Sequence, residues 1–425
     1  MKHYCTSLLL LAALATQAQS TQTITVNKKW LALPVKNGGP KQDLELWADG
    51  KKITYINMEL AGDNADWISY FDISSWKGKQ LEVRTSGNYA STFKQSDADT
   101  NRLPLYKEAL RGQFHFSPKR GWTNDPNGMV YYKGEYHLFF QHNPYGREWG
   151  NMTWGHAVSK DLLHWKEVGE ALYPDATGTM YSGSAVADRN NTSGLGQQPM
   201  VMFYTSAGNW SQGMAWSTDG RTFHKLAQPA VPRINKDNRD PKVIWHAASK
   251  SWVMVVWVER EEGLNTIEFL RSPDLKNWTR TSVLNGGKGD DRYLYECPDL
   301  FELPTNGFVP EKKWVLTAAN GQYAIGSFDG FTFKPEAERL NGQLGRDFYA
   351  SQTFDAEPKG RRIEIGWWRT HTNKGDMNFN QAMSIPLELQ LTLTKDGPRL
   401  TRMPVKELES LRTATHTVKA GTLKA

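Results

Sequence analysis

The chain has 425 residues, with 51 Lys and Arg against 45 Asp and Glu, which gives a formal net charge of +6. The basic residues are dispersed, without a Lys/Arg-rich run of about five or more and without a zinc-finger or RNP-type motif, so we expect no nucleic-acid partner. Beyond the N-terminus no segment approaches about 18 consecutive apolar positions, which argues against a membrane-spanning helix.

The first 18 residues have the pattern of a secretory signal peptide. A basic start precedes a short apolar run from Leu8 to Leu14, and Thr16-Gln17-Ala18 provides a small-x-Ala cleavage site. The apolar run is too short to cross a membrane. We therefore expect residues 1–18 to be removed and the protein to be secreted or periplasmic.

Residues 22–100 are predicted to form a small β-sandwich. Short alternating segments such as Asp43 to Trp47 are separated by turns rich in Gly, Asp and Asn, and a linker near residues 96–105 follows. Trp67 and Trp76 could bind glycan if they were exposed. The favoured interpretation is a packing domain with its tryptophans in the core.

A repeated motif, Ser-x-Asp-x-x-x-aromatic, follows this region. Its Asp residues lie 58, 55 and 55 positions apart, and the copies begin at Ser159, Ser217, Ser272 and Ser327. A period of this length with strands between is typical of propeller blades. The Ser and Asp side chains can accept hydrogen bonds from backbone N–H groups in a hairpin turn, so we interpret the motif as structural rather than catalytic.

Strands are predicted between the repeats, and long helical periodicity is missing. The span from about 110 to 400, divided by the repeat length, gives five blades. The sequence therefore predicts an all-β fold, a five-bladed β-propeller at residues 108–403 preceded by the small β-sandwich. The predicted strands include 129–132, 136–140, 199–204, 252–258, 313–318 and 362–368.

Three short motifs place a carboxylate before or close to a proline. They are Trp122-Thr123-Asn124-Asp125-Pro126-Asn127-Gly128, Arg239-Asp240-Pro241-Lys242 and Glu296-Cys297-Pro298-Asp299. Two carboxylates that flank a glycosidic bond are the minimum machinery for cleaving it. We expect each motif on a Pro-punctuated loop, with the first ending in a tight turn, and together they indicate a sugar-cleaving pocket.

These motifs, in this order and spacing, resemble glycoside hydrolase family 32, the β-fructosidases, which include invertases, inulinases and levanases. The resemblance covers about residues 110–410. It implies a five-bladed propeller, in agreement with the repeat, and cleavage of β-fructofuranosyl linkages in fructan or sucrose with retention of configuration.

The resemblance also implies roles for the three carboxylates. Asp125 matches the nucleophile, Glu296 the general acid/base, and Asp240 the third carboxylate, which binds fructose hydroxyls and stabilises the transition state. Arg239 is expected to pair with a carboxylate and orient it.

Further pocket residues follow from the matched motifs. Asn124 and Gln141 are expected to bond sugar hydroxyls, and Trp149 and Trp367 to form the wall. Tyr181 and Ser182 stand in Tyr-Ser-Gly-Ser-Ala, where the family commonly has Phe at the first position. Asn143 and Trp154 are weaker candidates for the same pocket, with blade packing as the alternative.

Cysteines and histidines give no sign of a metal or cofactor. Cys5 leaves with the signal peptide, so Cys297 cannot form an intrachain disulfide, and we interpret it as a small buried residue near Glu296. His142 and His156 lack metal-ligand spacing and are expected to make hydrogen bonds. Asp299 is expected to orient its segment.

One departure concerns residues 404–425. Family members usually carry a β-sandwich after the propeller, and this stretch resembles the start of the connection to it. Without that sandwich, apolar propeller surface would be uncovered, and self-association through it is one possibility.

The leading functional hypothesis is a β-fructosidase. A fructosyltransferase of the same family differs only in the acceptor, and a non-catalytic glycan-binding propeller would have lost a carboxylate, which is not the case. A sialidase is disfavoured because its nucleophile is a Tyr. The sequence does not discriminate levan, inulin and sucrose, or endo from exo cleavage.

Overall fold

The computed structural model describes residues 19–417 and 421, with the exception of residues 63, 88, 90–92, 102–104, 343–344 and 375–376. The predicted signal peptide, including Cys5, lies outside the described residues. The chain divides into two compact units, with the boundary in the sequence between residues 102 and 103. Both are built from strands, which confirms the all-β class. The helical segments among the described residues are short 3-10 turns at Ser74–Trp76, Glu261–Gly263, Gly289–Asp291 and Lys406–Leu411.

The N-terminal unit consists of two antiparallel sheets. Its strands are β1 (Gln19–Thr25), β2 (Trp30–Val35), β3 (Gln42–Ala48), β4 (Lys51–Met58), β5 (Trp67–Asp72), β6 (Gln80–Ser86) and β7 (Lys94–Ser96). One sheet has the order β1-β6-β3-β4 and the other β5-β2-β7. Alternate positions such as Leu31, Leu33, Leu44 and Leu46 are fully buried, as expected for strands with one face in a core.

Trp67 belongs to this core. It is 3% exposed, and its indole Nε1 donates to Asn37 Oδ1 at 2.9 Å. The packing interpretation of Trp67 is therefore confirmed. Trp76 is half-buried in the first 3-10 turn.

The C-terminal unit is a five-bladed β-propeller, as predicted. Its strands are β8 (Gly121–Tyr132), β9 (Glu135–Asn143), β10 (Thr153–Ser159), β11 (Lys166–Leu172), β12 (Met180–Ala187), β13 (Met200–Ser206), β14 (Ser211–Ser217), β15 (His224–Lys225), β16 (Asp237–His246), β17 (Ser251–Glu259), β18 (Leu264–Ser272), β19 (Thr279–Lys288), β20 (Asp299–Pro304), β21 (Lys312–Thr317), β22 (Gln322–Phe328), β23 (Phe333–Asn341), β24 (Phe348–Thr353), β25 (Ile363–Trp368), β26 (Phe379–Asn380), β27 (Ala382–Met383), β28 (Leu387–Thr394) and β29 (Gly397–Pro404). Blades 1 to 4 are β8–β11, β12–β15, β16–β19 and β20–β23, and blade 5 contains β24, β25, β27, β28 and β29.

The ring of blades is closed by chain segments that return to blade 1. Strand β26 pairs in parallel with β8, with Phe379 opposite Gly121. Asp355, just after β24, forms a second parallel bridge with Val130. Late parts of the chain are thus tied to the first blade.

Apolar side chains fill the spaces between neighbouring blades. Five buried clusters each join two adjacent blades, and one of them joins blade 5 to blade 1 through residues such as Ile365 and Phe140. Because both sheet faces are covered, inner strands such as β13 and β17 are apolar without strict alternation. This packing joins neighbouring blades around the residues at the centre of the propeller.

The repeated motif forms four equivalent turns before the outermost strands of blades 1 to 4. In each, the Asp Oδ1 accepts two backbone N–H groups, two and three residues further on, at 2.7–3.0 Å. The structural interpretation of the motif is confirmed. The aspartates are Asp161, Asp219, Asp274 and Asp329.

Candidate active site

The innermost strands of four blades carry a β-bulge at the same level. The ladder register shifts at Asn124–Asp125 in β8, Tyr181–Ser182 in β12, Asp240–Pro241 in β16 and Ala350–Ser351 in β24. A bulge leaves a residue unpaired and re-aims its side chain. The bulges thus direct side chains from separate blades into one place.

Two acidic motifs therefore lie inside strands, and the expectation of loops was wrong for them. Asp125 and Asp240 belong to β8 and β16, and the expected tight turn after Asp125 is a bulged strand instead. Pro241 lies within the bulge of β16 and Pro126 directly follows the bulge of β8, and proline is tolerated in strands at such irregular positions. Glu296 precedes β20, with a left-handed φ of +58°.

The repeat extends to the site itself. Asp125, Ser182, Asp240, Cys297 and Ala350 are spaced 57, 58, 57 and 53 residues apart and form one ring of equivalent positions. The residues just before them form a second ring, which consists of Asn124, Tyr181, Arg239, Glu296 and Tyr349.

These rings surround a cavity of about 210 Å³. All ten residues predicted for the site line it: Asn124, Asp125, Gln141, Trp149, Tyr181, Ser182, Arg239, Asp240, Glu296 and Trp367. Cys297 and Tyr349 complete the lining.

Asp125 is held by its neighbours on both carboxylate oxygens. Asn124 Nδ2 donates to Oδ1 at 3.0 Å, and Ser182 Oγ donates to Oδ2 at 2.7 Å. Trp122 Nε1 in turn fixes Asn124 through its Oδ1 at 3.0 Å. Burial raises the pKa of Asp125, and the negative charge of Glu296 raises it further. The hydrogen bonds from Ser182 and Asn124 act in the opposite direction. The carboxylate is thus held in a fixed orientation at the wall of the cavity.

Cys297 connects Asp125 to Asp240. Its Sγ lies 3.7 Å from Asp125 Oδ2 and 3.4 Å from Asp240 Oδ2, and its backbone N–H donates to Asp240 Oδ2 at 3.0 Å. Burial, together with the charges of Glu296 and Asp125, raises the pKa of Asp240 to about 7. The thiol is fully buried between carboxylates, and burial raises its pKa well above the usual value, so it is a poor nucleophile.

Glu296 is oriented by Arg239 and Tyr349. Arg239 Nη2 donates to Oε1 at 2.6 Å, and the Tyr349 hydroxyl donates to Oε2 at 2.6 Å. Arg239 also pairs with Asp237 and lies 4.1 Å from the ring centroid of Trp257. Burial alone would lower the pKa of Arg239, but the charges of Asp240 and Glu296 raise it. Arg239 is therefore a fixed cation between two carboxylates.

Aromatic rings form the rim of the cavity. Trp149 is 53% exposed and meets Tyr181 edge-to-face at 6.1 Å, and Tyr181 meets Trp210 at 5.8 Å. On the other side, Trp367 packs against Trp122 at 5.9 Å and Tyr349 at 6.2 Å. Rings on two sides are suited to the apolar C–H faces of a sugar.

The two weaker candidates, Asn143 and Trp154, do not line the cavity. Asn143 stabilises a turn, because its Nδ2 donates to Glu148 O at 2.7 Å and its Oδ1 accepts Tyr145 N–H at 3.1 Å. Trp154 is fully buried, and its Nε1 donates to Tyr181 O at 2.9 Å. Both are structural residues next to the cavity rather than part of its lining.

The sequence reasoning missed Tyr349, which lies outside the acidic motifs. The 53-residue step from Glu296 to Tyr349 is the signal that could have identified it, because it continues the second ring into blade 5.

Asp299 orients its segment, as expected, through a buried ion pair. Lys242 Nζ donates to Asp299 Oδ2 at 3.1 Å and to Thr353 O at 2.8 Å, and Thr353 N–H donates to Asp299 Oδ2 at 2.6 Å. Lys242 lies two residues after Asp240, and Asp299 three after Glu296. The pair therefore joins blades 3, 4 and 5 directly beside the site.

Lys242→Met is expected to lower the free energy of unfolding by about 3–5 kcal/mol, because it leaves the Asp299 charge buried without its partner. The side chains of Lys242 and Asp299 are 3% and 1% exposed, so water cannot compensate. Chemical denaturation measures the loss. Lys166→Met, at an exposed position, is the control, and an equal effect of both variants would contradict the role of the pair.

His142 makes hydrogen bonds, as expected. Its Nδ1 donates to Glu170 Oε1 at 2.7 Å and its Nε2 donates to Arg120 O at 2.8 Å. Burial alone would lower the pKa of His142, but the charge and hydrogen bond of Glu170 raise it to about 9. The Nε2 atom of His156 instead lies 2.9 Å from Nδ1 of His137, and burial lowers the pKa of His156.

The His142–Glu170 pair predicts a loss of stability at alkaline pH. Its contribution is complete below the unfolded pKa of about 6.5 and is lost as the pH rises through about 9. Chemical denaturation of wild type and His142→Gln should differ by roughly 2–3 kcal/mol at pH 6 and much less at pH 9.5. A difference that is constant with pH would contradict the charged pair.

Among the described residues, His, Cys, Asp and Glu side chains form no group of three or more suited to a metal ion. Nor does the described part of the chain contain a helix long and apolar enough to cross a membrane.

Comparison with known proteins identifies relatives of this chain. Residues 115–404 match the model of the glycosyl hydrolases family 32 N-terminal domain. The chain is 44% identical over 341 residues to a levanase from Bacillus subtilis, covering 74% of this chain and 50% of the levanase. It is 35% identical over 362 residues to an extracellular exo-inulinase from Aspergillus niger, covering 72% of this chain and 66% of the relative.

Solved structures agree with the sequence relatives. An exo-inulinase from Aspergillus awamori superposes with a TM-score of 0.64 at 34% identity, covering 72% of this chain and 69% of that one. A fructofuranosidase from Schwanniomyces occidentalis, complexed with fructose, gives 0.61 at 33% identity, covering 69% and 63%. The chain thus spans half to two thirds of the length of these relatives.

Proposed function

The chain belongs to glycosyl hydrolase family 32, and from this premise we propose that it hydrolyses β-fructofuranosyl linkages of fructans or sucrose through a covalent fructosyl–Asp125 intermediate. The observation that carries the proposal is the convergence of Asp125, Asp240 and Glu296 on one cavity with aromatic rims. Two carboxyl groups in separate environments can divide the roles of nucleophile and acid.

In the first step an oxygen of Asp125 forms a bond to the anomeric carbon of the fructosyl unit. The bond from that carbon to the leaving oxygen breaks, and Glu296 gives its proton to that oxygen. Asn124 and Ser182 hold Asp125 in a fixed orientation, which lowers the entropic cost of attack. Arg239 and Tyr349 fix Glu296 in the same way.

In the second step water attacks the same carbon and gives a proton to Glu296. The ester to Asp125 breaks, fructose leaves, and both carboxyl groups return to their initial states. Asp240 lies beside Asp125, where a carboxylate can bind sugar hydroxyls and stabilise positive charge on the ring.

The choice of substrate class is supported by the relatives, whose names are levanase, exo-inulinase and fructofuranosidase. Secretion is part of the same proposal, since one relative is described as extracellular and residues 1–18 have a signal-peptide pattern.

Product analysis tests the function. The purified chain, shown to be folded by circular dichroism, is incubated separately with sucrose, inulin and levan. Release of fructose is expected, and mostly short oligomers from a polymer would mean internal cleavage. Sugar transfer products in place of fructose would identify a transferase, and no product from any of the three would refute the proposal.

A further inference from the structure

A second cavity, of about 340 Å³, lies in the propeller at the opposite ends of the innermost strands. It is lined by Ala187 at the end of β12, Trp245 near the end of β16 and Asp355 just after β24. The candidate active-site residues lie near the starts of the same strands. Trp245 lies five positions after Asp240 in the same strand, a distance of about 17 Å, so the two cavities are distinct.

The wall of this cavity is a braced tryptophan pair. Trp245 is 37% exposed, and its ring meets Trp252 at 5.0 Å with an interplanar angle of 64°. Trp252 is buried, and its Nε1 donates to Thr192 Oγ1 at 2.8 Å. Because Trp252 holds the exposed indole of Trp245 in place, little side-chain conformational entropy is lost when a ligand packs on that indole. An aromatic face is electrostatically suited to the C–H groups of a sugar ring.

The polar groups of the cavity are fixed as well. Asp355 is held by the backbone of blade 1, since its N–H donates to Met129 O and its carbonyl accepts from Tyr131 N–H, both at 2.9 Å. Its Oδ2 accepts Ala187 N–H at 3.1 Å, across the channel in blade 2. Arg189 and Asn190 are exposed at the rim.

The charges favour a neutral ligand. The negative charge of Glu357 is already paired with Arg361 at 2.9 Å, and its carboxylate also accepts the Tyr136 hydroxyl. That leaves Asp355 and Arg189 as opposite charges in one cavity. The charges of the lining residues therefore balance, and hydroxyl groups can bond to both Asp355 and Arg189.

We propose that this cavity is a second carbohydrate-binding site, which takes one or two neutral sugar units of a fructan chain and holds a polymer on the enzyme away from the reaction. The choice of fructan as the polymer rests on the proposed function. The concave shape, the single aromatic wall and the few fixed polar groups are those of a ligand site rather than of a blade interface.

The test compares Asp125→Asn with the double variant Asp125→Asn/Trp245→Ala, so that the polymer is not consumed. In native gels that contain levan or inulin, the second change is expected to weaken retention by about tenfold, the loss of one aromatic contact. Calorimetric titration of Asp125→Asn with a fructan oligosaccharide is expected to give two sites per chain, and one after Trp245→Ala. Unchanged retention, or one site in both proteins, would overturn the proposal.

Further variants separate binding from damage to the fold. Arg189→Ala changes an exposed side chain and is expected to weaken retention in part, while Phe308→Ala, at a fully exposed position outside both cavities, should have no effect. Trp245→Ala alone should hydrolyse sucrose at the wild-type rate. If retention is lost only with a change in oligomeric mass on gel filtration, the cavity is an interface between copies and the proposal fails.

The two proposals fail in different readouts. A wild-type chain that releases neither fructose nor short fructan oligomers refutes the hydrolase, whatever the gels show. A wild-type chain that releases fructose while Asp125→Asn binds a single oligosaccharide refutes the second site alone.

Discussion

Asp125→Asn is expected to reduce turnover of sucrose and fructans by roughly 10⁴-fold while the protein stays folded. The change removes the oxygen nucleophile but keeps its shape and its neighbours Asn124 and Ser182. Residual rates on sucrose, measured with enzyme concentrations high enough to detect slow turnover, give the factor. Asp396→Asn, an exposed change in a hairpin turn of the same unit, is the matched control and should keep the wild-type rate.

The same variant should also be at least as stable as wild type at neutral pH. Burial raises the pKa of Asp125 and Asp240, so the ionised forms cost folding free energy, and this cost grows as the pH rises from the unfolded value through the folded one. An uncharged amide at position 125 removes the part of this cost that comes from the ionised Asp125. Thermal unfolding at pH 7 measures the difference. Wild-type turnover in Asp125→Asn would refute the assignment, and a lower unfolding temperature would contradict the electrostatic argument.

Most of the propeller could be predicted from the sequence because its turns are local. In each copy of the motif the Asp accepts N–H groups only two and three residues away, so the signal is contained in seven letters. Blade 5 lacks the motif, and its hairpin is a short turn at Thr394–Gly397. Its existence could be inferred only from the length of the chain that remained.

The bulges could not be predicted, because they are a property of two strands rather than one. A register shift at Asp125 exists only relative to β9, and at Asp240 only relative to β17. The prolines that follow these residues were visible, but a loop explains a proline as well as a bulge does. The motifs of Asp125 and Asp240 were therefore placed on the wrong kind of element, although both residues line the predicted cavity.

The sequence also could not separate single pocket residues from core residues. Trp149 and Trp154 stand five residues apart in one aromatic segment, yet the first is 53% exposed and the second is fully buried. Trp154 belongs to strand β10, which is buried on both faces, whereas Trp149 lies before that strand, so no alternation pattern distinguishes the two residues. Tyr349 could be recognised only by aligning blades, since the residues before it carry no acidic motif.

Glu296→Gln is expected to slow hydrolysis of sucrose by roughly 10²–10⁴-fold and to slow an aryl fructofuranoside much less. The natural leaving group is an alkoxide that needs a proton from Glu296, whereas a nitrophenolate leaves without one. The amide remains within reach of Arg239 and Tyr349, so substrate binding should change little. Steady-state rates on both substrates give the ratio that reports acid catalysis.

The second half-reaction gives an independent check, because Glu296 also has to accept a proton from water. With the aryl substrate, Glu296→Gln should release a burst of phenolate and then stall as the fructosyl–Asp125 ester. Azide, which needs no base, should restore turnover and yield fructosyl azide. The control is Glu262→Gln, a change at an exposed side chain, whose turnover azide should not alter. If sucrose and the aryl substrate slow by the same factor and azide has no effect, Glu296 is not the acid/base, and the hydrogen bonds from Arg239 and Tyr349 hold a binding residue instead.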